Sequence, residues 1–355
     1  METISSQIDE IRRKWGKRLL ILGHHYQRPA VLQHADEIGD SLELAKKAAS
    51  HKEAERIVFC GVRFMAETAD ILSGERQTVY MPYTLAGCPM ANMASGEEMM
   101  GAVERLDRAG EDGPPAPSLC ERGQAGWLPV VYVNSTAEIK ACCGRLGGSA
   151  CTSSNAQRVF EWVFSQHKRV FFLPDEHLGW NTAHDMGIAD SNVLVYDSKK
   201  ADGGLSDAEI ASAKVVVWKG FCLVHTAFVV EHVRKVRAMM PEAKIIVHPE
   251  TPKEVLRLAD AHGSTSQIIK YVESASPGST IVIGTENNLV ERLAETFKGR
   301  LTVKALWPSV CANMARTNEE NLLSVLTKWP SANEIHVPQD MAADARKCLE
   351  TMLKL

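Results

Sequence analysis

The chain has 355 residues, of which 45% are hydrophobic and 24% are charged, and its formal net charge is -4. This composition is that of a folded globular protein and excludes a disordered chain. The slight acidic excess provides no basic field for a polyanion, so we expect no nucleic-acid partner. Apolar runs stay far below the roughly 20 residues that span a bilayer, and the polar N-terminus lacks a secretory signal. We therefore expect a cytoplasmic protein without a membrane partner.

One pattern of four parts occurs three times along the chain. Each copy has an apolar run with a polar end, a serine-bearing loop that opens a helical pattern, a second strand with its helix, and a strand that runs into a cysteine. Short β-rich runs that alternate with helices are typical of buried parallel sheets. In this order the four parts are 18–27, 128–138 and 243–254; 39–48, 151–163 and 263–273; 56–72, 168–183 and 279–295; and 78–88, 213–222 and 301–311.

The repeat predicts an α/β fold of three repeated three-layer αβα (Rossmann-like) units about a pseudo-threefold axis. The middle copy is longer than the others because of an insertion around 188–210, and the Gly- and Pro-containing stretch 109–126 is expected to be a flexible connector. The expected units are 1–100, 127–232 and 233–311, followed by a helical tail, 312–355, that packs on the core.

Polar residues and cysteines stand at the strand ends of every copy. Ligands of parallel sheets bind beyond the carboxyl ends of the strands, so three units about one axis would direct these residues at a shared centre. Ser41, Ser153 and Ser264 begin the helical patterns and are suited to cap those helices, whose N-termini favour anions. The sequence therefore predicts a central active site, and because it contains neither a G-x-G-x-x-G nor a Walker A motif, a nucleotide cofactor is not implied.

The nine cysteines, an odd number in a chain expected to be cytoplasmic, argue against a disulfide framework. Cys88, Cys222 and Cys311 end equivalent strands of the three copies, so only folding could gather them. Three thiolates could hold an iron-sulfur cluster with one open iron, or a zinc ion with an open position. The others lack paired C-x-x-C spacing and are expected to fill the core or to be incidental: Cys60, Cys120, Cys142, Cys143, Cys151 and Cys348.

A series of motifs in chain order resembles the quinolinate synthases, over about residues 18–320. They are GHHYQ, GDSLELA, FMAETADIL, AGC, YVNSTAEIKA, CTSSNA, LPDEHLG, GFCLVH, VHPE, GSTSQIIKYV, GTENNLV and CANM. The resemblance implies a pseudo-threefold fold around one 4Fe-4S cluster per chain, held by Cys88, Cys222 and Cys311, the trio that the repeat selects. It also implies an oxygen-sensitive enzyme of NAD biosynthesis.

The reaction implied by the resemblance condenses iminoaspartate with dihydroxyacetone phosphate and loses phosphate and two waters to give quinolinate. The open iron would act as a Lewis acid, and an L-aspartate oxidase that supplies unstable iminoaspartate would be a functional partner. By resemblance the catalytic residues are His24, Tyr26, His225, His248 and Glu250. The implied substrate-binding residues are His24, Ser41, Tyr132, Asn134, Ser153, His248, Glu250, Ser264 and Thr265.

Two other functions stay open at this point. Zinc on the same thiolates would make the chain a zinc enzyme for a phosphorylated or carboxylated substrate, and a cluster without catalysis would make it a redox sensor. The many polar groups at the strand ends argue against a sensor, which would not need them. Two stretches, 101–128 and 144–149, are longer than in the shorter family pattern, and both are expected to be loops.

Overall fold

A computed structural model describes residues 3–74, 76–109 and 126–355. Most of the predicted connector 109–126, with its Cys120, lies outside these described residues. No helix in the described ranges is both long enough and apolar enough to cross a membrane.

Strands and helices alternate along most of the described chain. The strands are β1 (Leu19–His24), β2 (Glu37–Gly39), β3 (Arg56–Cys60), β4 (Thr78–Tyr80), β5 (Trp127–Tyr132), β6 (Ser149–Cys151), β7 (Arg169–Leu173), β8 (Val193–Tyr196), β9 (Val215–Trp218), β10 (Lys244–Val247), β11 (Ala261–His262), β12 (Thr280–Gly284), β13 (Thr302–Ala305) and β14 (Glu334–Ile335). The helices are α1 (Ile4–Trp15), α2 (Pro29–Leu32), α3 (Ser41–Ser50), α4 (Arg63–Leu72), α5 (Gly96–Arg108), α6 (Ala137–Arg145), α7 (Ala156–Ser165), α8 (Glu176–Asp185), α9 (Asp207–Ser212), α10 (Val230–Met239), α11 (Lys253–Leu256), α12 (Thr265–Ser274), α13 (Asn287–Thr296), α14 (Glu319–Lys328) and α15 (Gln339–Lys354).

The chain divides into two compact units. Unit one comprises Met1–Cys88 and Leu223–Val337, and unit two comprises Pro89–Cys222 and Pro338–Leu355. Unit one holds two sheets, of order β2-β1-β3-β4 and β11-β10-β12-β13, whose strands run parallel. The short β14 extends the first sheet antiparallel to β4. In both sheets the first strand of the sequence copy, β1 or β10, therefore lies between a short edge strand, β2 or β11, and the second strand of the copy, β3 or β12.

Unit two contains a single sheet with the same core order, β6-β5-β7-β9, and all its strands are parallel. The predicted insertion, 188–210, supplies the extra edge strand β8 beside β9. Buried Arg105 of α5 holds this insertion through Asp202 at 2.9 Å. The α/β class with three mostly parallel sheets is thus confirmed, and the repeated strand order explains the repeated sequence pattern.

The strands are as apolar as parallel strands covered on both faces must be. All six residues of β1 are buried, and so are all six of β5. Cys60 lies among core residues that include Ile21 and Val58, and Cys348 of α15 is fully buried. Both cysteines therefore fill the core, as predicted.

The two stretches predicted as loops are only partly loops. Gly101 lies inside α5, because an amphipathic pattern with a capping box at Ser95 carries the helix through it. In the second stretch, Gly144 and Arg145 belong to α6 and Ser149 begins β6. Gly144 allows α6 and α15 to pack closely, because its Cα faces the backbone of Asp344 in α15.

Replacing Gly144 with alanine is expected to destabilise unit two. An added Cβ would lie 1.9 Å from the backbone oxygen of Asp344 in α15, so that helix would have to shift, at a cost of about 1–3 kcal/mol. Gly101→Ala is the matched control: nothing lies within 4 Å of its Cβ position, and the free energy of unfolding should rise by about 0.5–1 kcal/mol. Urea unfolding measures both. A Gly144→Ala chain as stable as the parent would contradict the close approach of the two helices.

Candidate active site

Polar side chains of unit one gather at the carboxyl ends of strands from both of its sheets. His24 ends β1, His248 follows β10 and Thr285 follows β12. Their side chains are buried, with 4%, 3% and 0% of their surface exposed. Because parallel sheets bind ligands at this edge, these residues mark the candidate site within unit one.

His225 lies at the centre of a hydrogen-bonded series in unit one. Its Nδ1 is 2.7 Å from Oε2 of Glu250, and its Nε2 is 3.1 Å from Oγ1 of Thr285. The Thr285 oxygen is also 2.8 Å from the hydroxyl of Tyr26, which accepts a hydrogen bond from Thr265 at 3.3 Å. These hydrogen bonds join four residues that were predicted from separate motifs, and Thr285 connects them. The four are Tyr26, His225, Glu250 and Thr265.

Two further histidines of the site are neutral near pH 7. The ring of His248 stacks on that of His225 with centroids 4.3 Å apart, and His24 packs edge-on against Tyr26. Backbone N–H groups of Tyr26 and Glu250 donate to Nδ1 of His24 and His248 respectively, so each neutral ring carries its proton on Nε2. Burial lowers the pKa of each ring to about 3. Both rings can therefore donate one Nε2–H hydrogen bond without adding charge.

Two helix N-termini of unit one meet next to each other. Ser264 caps α12, as predicted. The cap of α3 is Asp40, whose carboxylate accepts two backbone hydrogen bonds of the first turn, so the predicted cap at Ser41 is wrong by one residue. Asp40 has the extended backbone of a cap, whereas Ser41 is already helical. Ser266 donates its hydroxyl to Asp40 at 2.8 Å, and this bond ties the two helix starts together.

The other predicted binding residues lie in unit two. Buried Tyr132 ends β5, and Asn134 follows two residues later. Oδ1 of Asn134 is buried and receives no hydrogen bond from the described part of the chain, which leaves an acceptor for a ligand. Ser153 precedes α7, but the residue at the cap position is Asn155, so the predicted cap at Ser153 is wrong. The Asn155 side chain instead accepts from the backbone of Thr152 at 2.8 Å and closes the turn that holds Ser153.

Exposure separates the three predicted cluster ligands from the other cysteines. Cys88 follows β4, Cys311 follows β13, and Cys222 is the last residue before the chain enters unit one again; all three are partly exposed. The other cysteines of the described ranges are buried: Cys60, Cys142, Cys143, Cys151 and Cys348. Burial raises the pKa of the Cys60 thiol to about 12, and it also raises the pKa of the Cys311 thiol, so exposure and not thiol acidity distinguishes the predicted ligands.

Among the described residues, one group of side chains could hold a metal ion: Cys222, His225 and Glu250. Cys222 stands three residues before His225 in the chain, and Glu250 bonds the His225 ring. Thiolate, imidazole and carboxylate are all ligands of transition metals. The group is consistent with a metal cofactor and includes one of the three predicted cluster ligands.

Sequence reasoning misses two residues of this region, Thr285 and Glu286. Glu286 is fully buried, and its Oε1 accepts from the backbone N–H of Cys311 at 3.3 Å. Burial raises the pKa of the Glu286 carboxyl to about 7. The signal for both residues is the motif GTENNLV, because its polar residues follow a strand, as do the other residues of the site.

Comparison with known proteins gives matches over almost the whole chain. The family model described as quinolinate synthetase A protein matches residues 6–354. The chain is 43% identical to the quinolinate synthase of Corynebacterium glutamicum, over 100% of this chain and 88% of that protein. It is 42% identical to that of Bacillus subtilis, over 99% and 93% of the two chains, and 43% identical to that of Streptomyces coelicolor, over 97% and 86%. The chain therefore belongs to the quinolinate synthetase A family, which is a family of enzymes.

Proposed function

We propose that this chain is a quinolinate synthase of NAD biosynthesis, which condenses iminoaspartate with dihydroxyacetone phosphate and releases phosphate and two waters. The observation that carries the proposal is the match to the quinolinate synthetase A family over residues 6–354. The connected acid-base groups of unit one support it, because enediol and imine steps need positioned proton donors and acceptors.

Cys88, Cys222 and Cys311 are the proposed ligands of one 4Fe-4S cluster per chain. The donor set fits this group, since these three thiols are partly exposed while the other described cysteines are buried. Bound by three thiolates, such a cluster supplies an open iron as a Lewis acid for a substrate hydroxyl. A cluster that is open to substrate is also open to oxygen, so we expect an oxygen-sensitive enzyme.

The proposed catalytic residues of this chain are two histidine donors, the hydrogen-bonded His225–Glu250 pair and Tyr26. His24 and His248 are neutral and direct Nε2–H donors at substrate oxygens. Glu250 accepts from Nδ1 of His225 and orients that ring. Tyr26, held by Thr265 and Thr285, presents its phenol as an acid or base.

The proposed anion sites use the helix starts and the strand end of unit two. Free N–H groups at a helix N-terminus favour the phosphate and carboxylates of the two substrates. Ser41, Ser264 and Thr265 would hold substrate at α3 and α12. Ser153, Tyr132 and Asn134 would bind it from unit two, where the open Oδ1 acceptor of Asn134 supports the assignment.

The biological setting is part of the same proposal. We infer a cytoplasmic enzyme built of three α/β units, 1–100, 127–232 and 233–311, with the tail 312–355. An L-aspartate oxidase would supply iminoaspartate, which hydrolyses too readily to accumulate.

Anaerobic purification followed by metal analysis and assay tests the function. We expect about four irons and four sulfides per chain, and quinolinate from iminoaspartate and dihydroxyacetone phosphate. One zinc without sulfide would instead indicate a zinc enzyme. A full cluster that forms no quinolinate from fresh iminoaspartate would refute the proposed reaction and point to a redox sensor.

A further inference from the structure

The loops that carry the three proposed cluster ligands are attached to the fold in the same way. In each copy of the repeat a helix follows the second strand, and the backbone N–H of its first residue donates to the carbonyl oxygen two residues before the ligand cysteine. All three bonds are 2.8 Å long. They run from Arg63 to Ala86, before Cys88; from Glu176 to Gly220, before Cys222; and from Asn287 to Ser309, before Cys311. Each ligand loop is therefore bonded to the start of a helix.

The third copy adds a second bond, which reaches the cysteine itself. Glu286 caps α13, and its Oε2 accepts from the backbone N–H of Asn288 at 2.7 Å. Its Oε1 accepts from the backbone N–H of Cys311 at 3.3 Å and from the side-chain amide of Asn288 at 3.1 Å. The first copy has Val62 at this position, and a valine side chain has no polar atom for such a bond. Glu286 therefore connects the start of α13 directly to a proposed ligand.

Burial makes the bond between Glu286 and Cys311 costly to break. The Glu286 side chain is 0% exposed, and a buried carboxyl group is destabilising unless hydrogen bonds satisfy it. Ser309 provides a further attachment of the same loop, because its hydroxyl donates to the carbonyl oxygen of Val224 at 2.8 Å. The segment 309–311 is thus held at three points, and none of these bonds involves a cluster atom.

We propose that Glu286 is a positioning residue for the ligand Cys311, an inference that rests on the proposed cluster. Its carboxyl group fixes the Cys311 backbone, so that the thiolate is already placed for ligation when iron and sulfide bind. Loss of the hydrogen bonds that support a metal ligand typically costs about 10- to 100-fold in metal affinity. Glu286 is therefore expected to control how firmly the chain retains its iron.

Glu286→Asp separates this positioning from helix capping. Aspartate is a preferred N-cap residue, so α13 should keep its cap, but the side chain is one methylene shorter and should no longer reach Cys311. A chelator such as bathophenanthroline disulfonate should remove iron from the cluster-loaded variant about 10-fold faster than from the parent, under anaerobic conditions. Thr3→Ala is the matched control: Thr3 caps α1 by accepting from the backbone of Ser6 at 3.2 Å, and its loss should leave iron release unchanged.

Hydrogen exchange tests the bond itself, without the cluster. In the iron-free chain, a peptide that contains 309–311 should exchange its amide hydrogens faster in Glu286→Asp than in the parent, because the Cys311 N–H has lost its acceptor. Unchanged exchange, unchanged iron release, or an equal acceleration of iron release in Thr3→Ala would overturn the proposal. A parent chain that binds no iron would instead overturn the proposed cluster, and hydrogen exchange would still decide whether Glu286 holds Cys311.

Discussion

Serine in place of Cys88, Cys222 or Cys311 will strip iron from the purified chain and abolish quinolinate formation. A serine hydroxyl is a far poorer iron ligand than a thiolate, and each cysteine is one of only three proposed protein ligands. Iron should fall from about four per chain to below about one. Anaerobic iron and sulfide analysis, with the assay run on the same preparation, measures both effects.

Cys142→Ser provides the control for these variants. Cys142 is buried in α6 and accepts a hydrogen bond from Arg145, which a serine oxygen can also accept. Iron and sulfide should stay at the parent level. Full iron content in all three ligand variants would contradict the assignment, and loss of iron in Cys142→Ser would show that stability rather than ligation decides the result.

The sequence repeat predicted the sheets of this protein because a buried parallel strand must be apolar, and the repeat shows where the apolar strands lie. Every copy needs an apolar strand such as β1 beside a second apolar strand such as β3, and the polar residue at the strand end marks where the strand leaves the sheet. The same signal located the insertion 188–210, which becomes the edge strand β8. It could not reveal β14, because two residues that pair antiparallel with β4 leave no periodicity to detect.

The sequence analysis identified the wrong capping residue at two helix N-termini, because another residue occupies the cap position there. A serine at the start of a helical pattern can be the cap or the first helical residue, and only the backbone separates the two. At Ser264 the serine is the cap, whereas at α3 the preceding Asp40 is the stronger acceptor and takes that position. A shift of one residue in this way leaves Ser41 at the N-terminus of α3, where its proposed role is still possible.

Many residues of the candidate site could be predicted from the sequence because they belong to recognisable motifs at strand ends. What the sequence lacks is the pairing between them: Tyr26 and Thr285 are 259 positions apart, and His225 and Glu250 are 25 apart. Motifs name residues one at a time, whereas hydrogen bonds depend on where the strands of two sheets end in space. Thr285 was missed for this reason. A single threonine after a strand is common in proteins and does not by itself indicate a functional site.

Glu250→Gln is expected to lower kcat by about 10²- to 10⁴-fold. Glutamine keeps the shape of the side chain, and its amide oxygen can still accept from Nδ1 of His225. The negative charge is lost, however, and a buried ring that gains a proton during turnover would then lack a partner to stabilise it. Both side chains are almost completely buried, so solvent cannot replace that charge. Steady-state kinetics on the cluster-loaded variant measures the effect, and its iron content should match that of the parent.

Glu319→Gln separates this loss from the general effect of removing a carboxylate beside a histidine. Glu319 of α14 lies 3.0 Å from Nε2 of His34, which is 1% exposed, so the pair resembles Glu250–His225 in contact and in the burial of its histidine. It lies outside the proposed catalytic residues, and its loss should leave kcat unchanged. Equal losses in the two variants would mean that stability explains both. An unchanged kcat in Glu250→Gln would remove Glu250 from the proposed catalytic residues, because its charge would then do nothing that the amide cannot do.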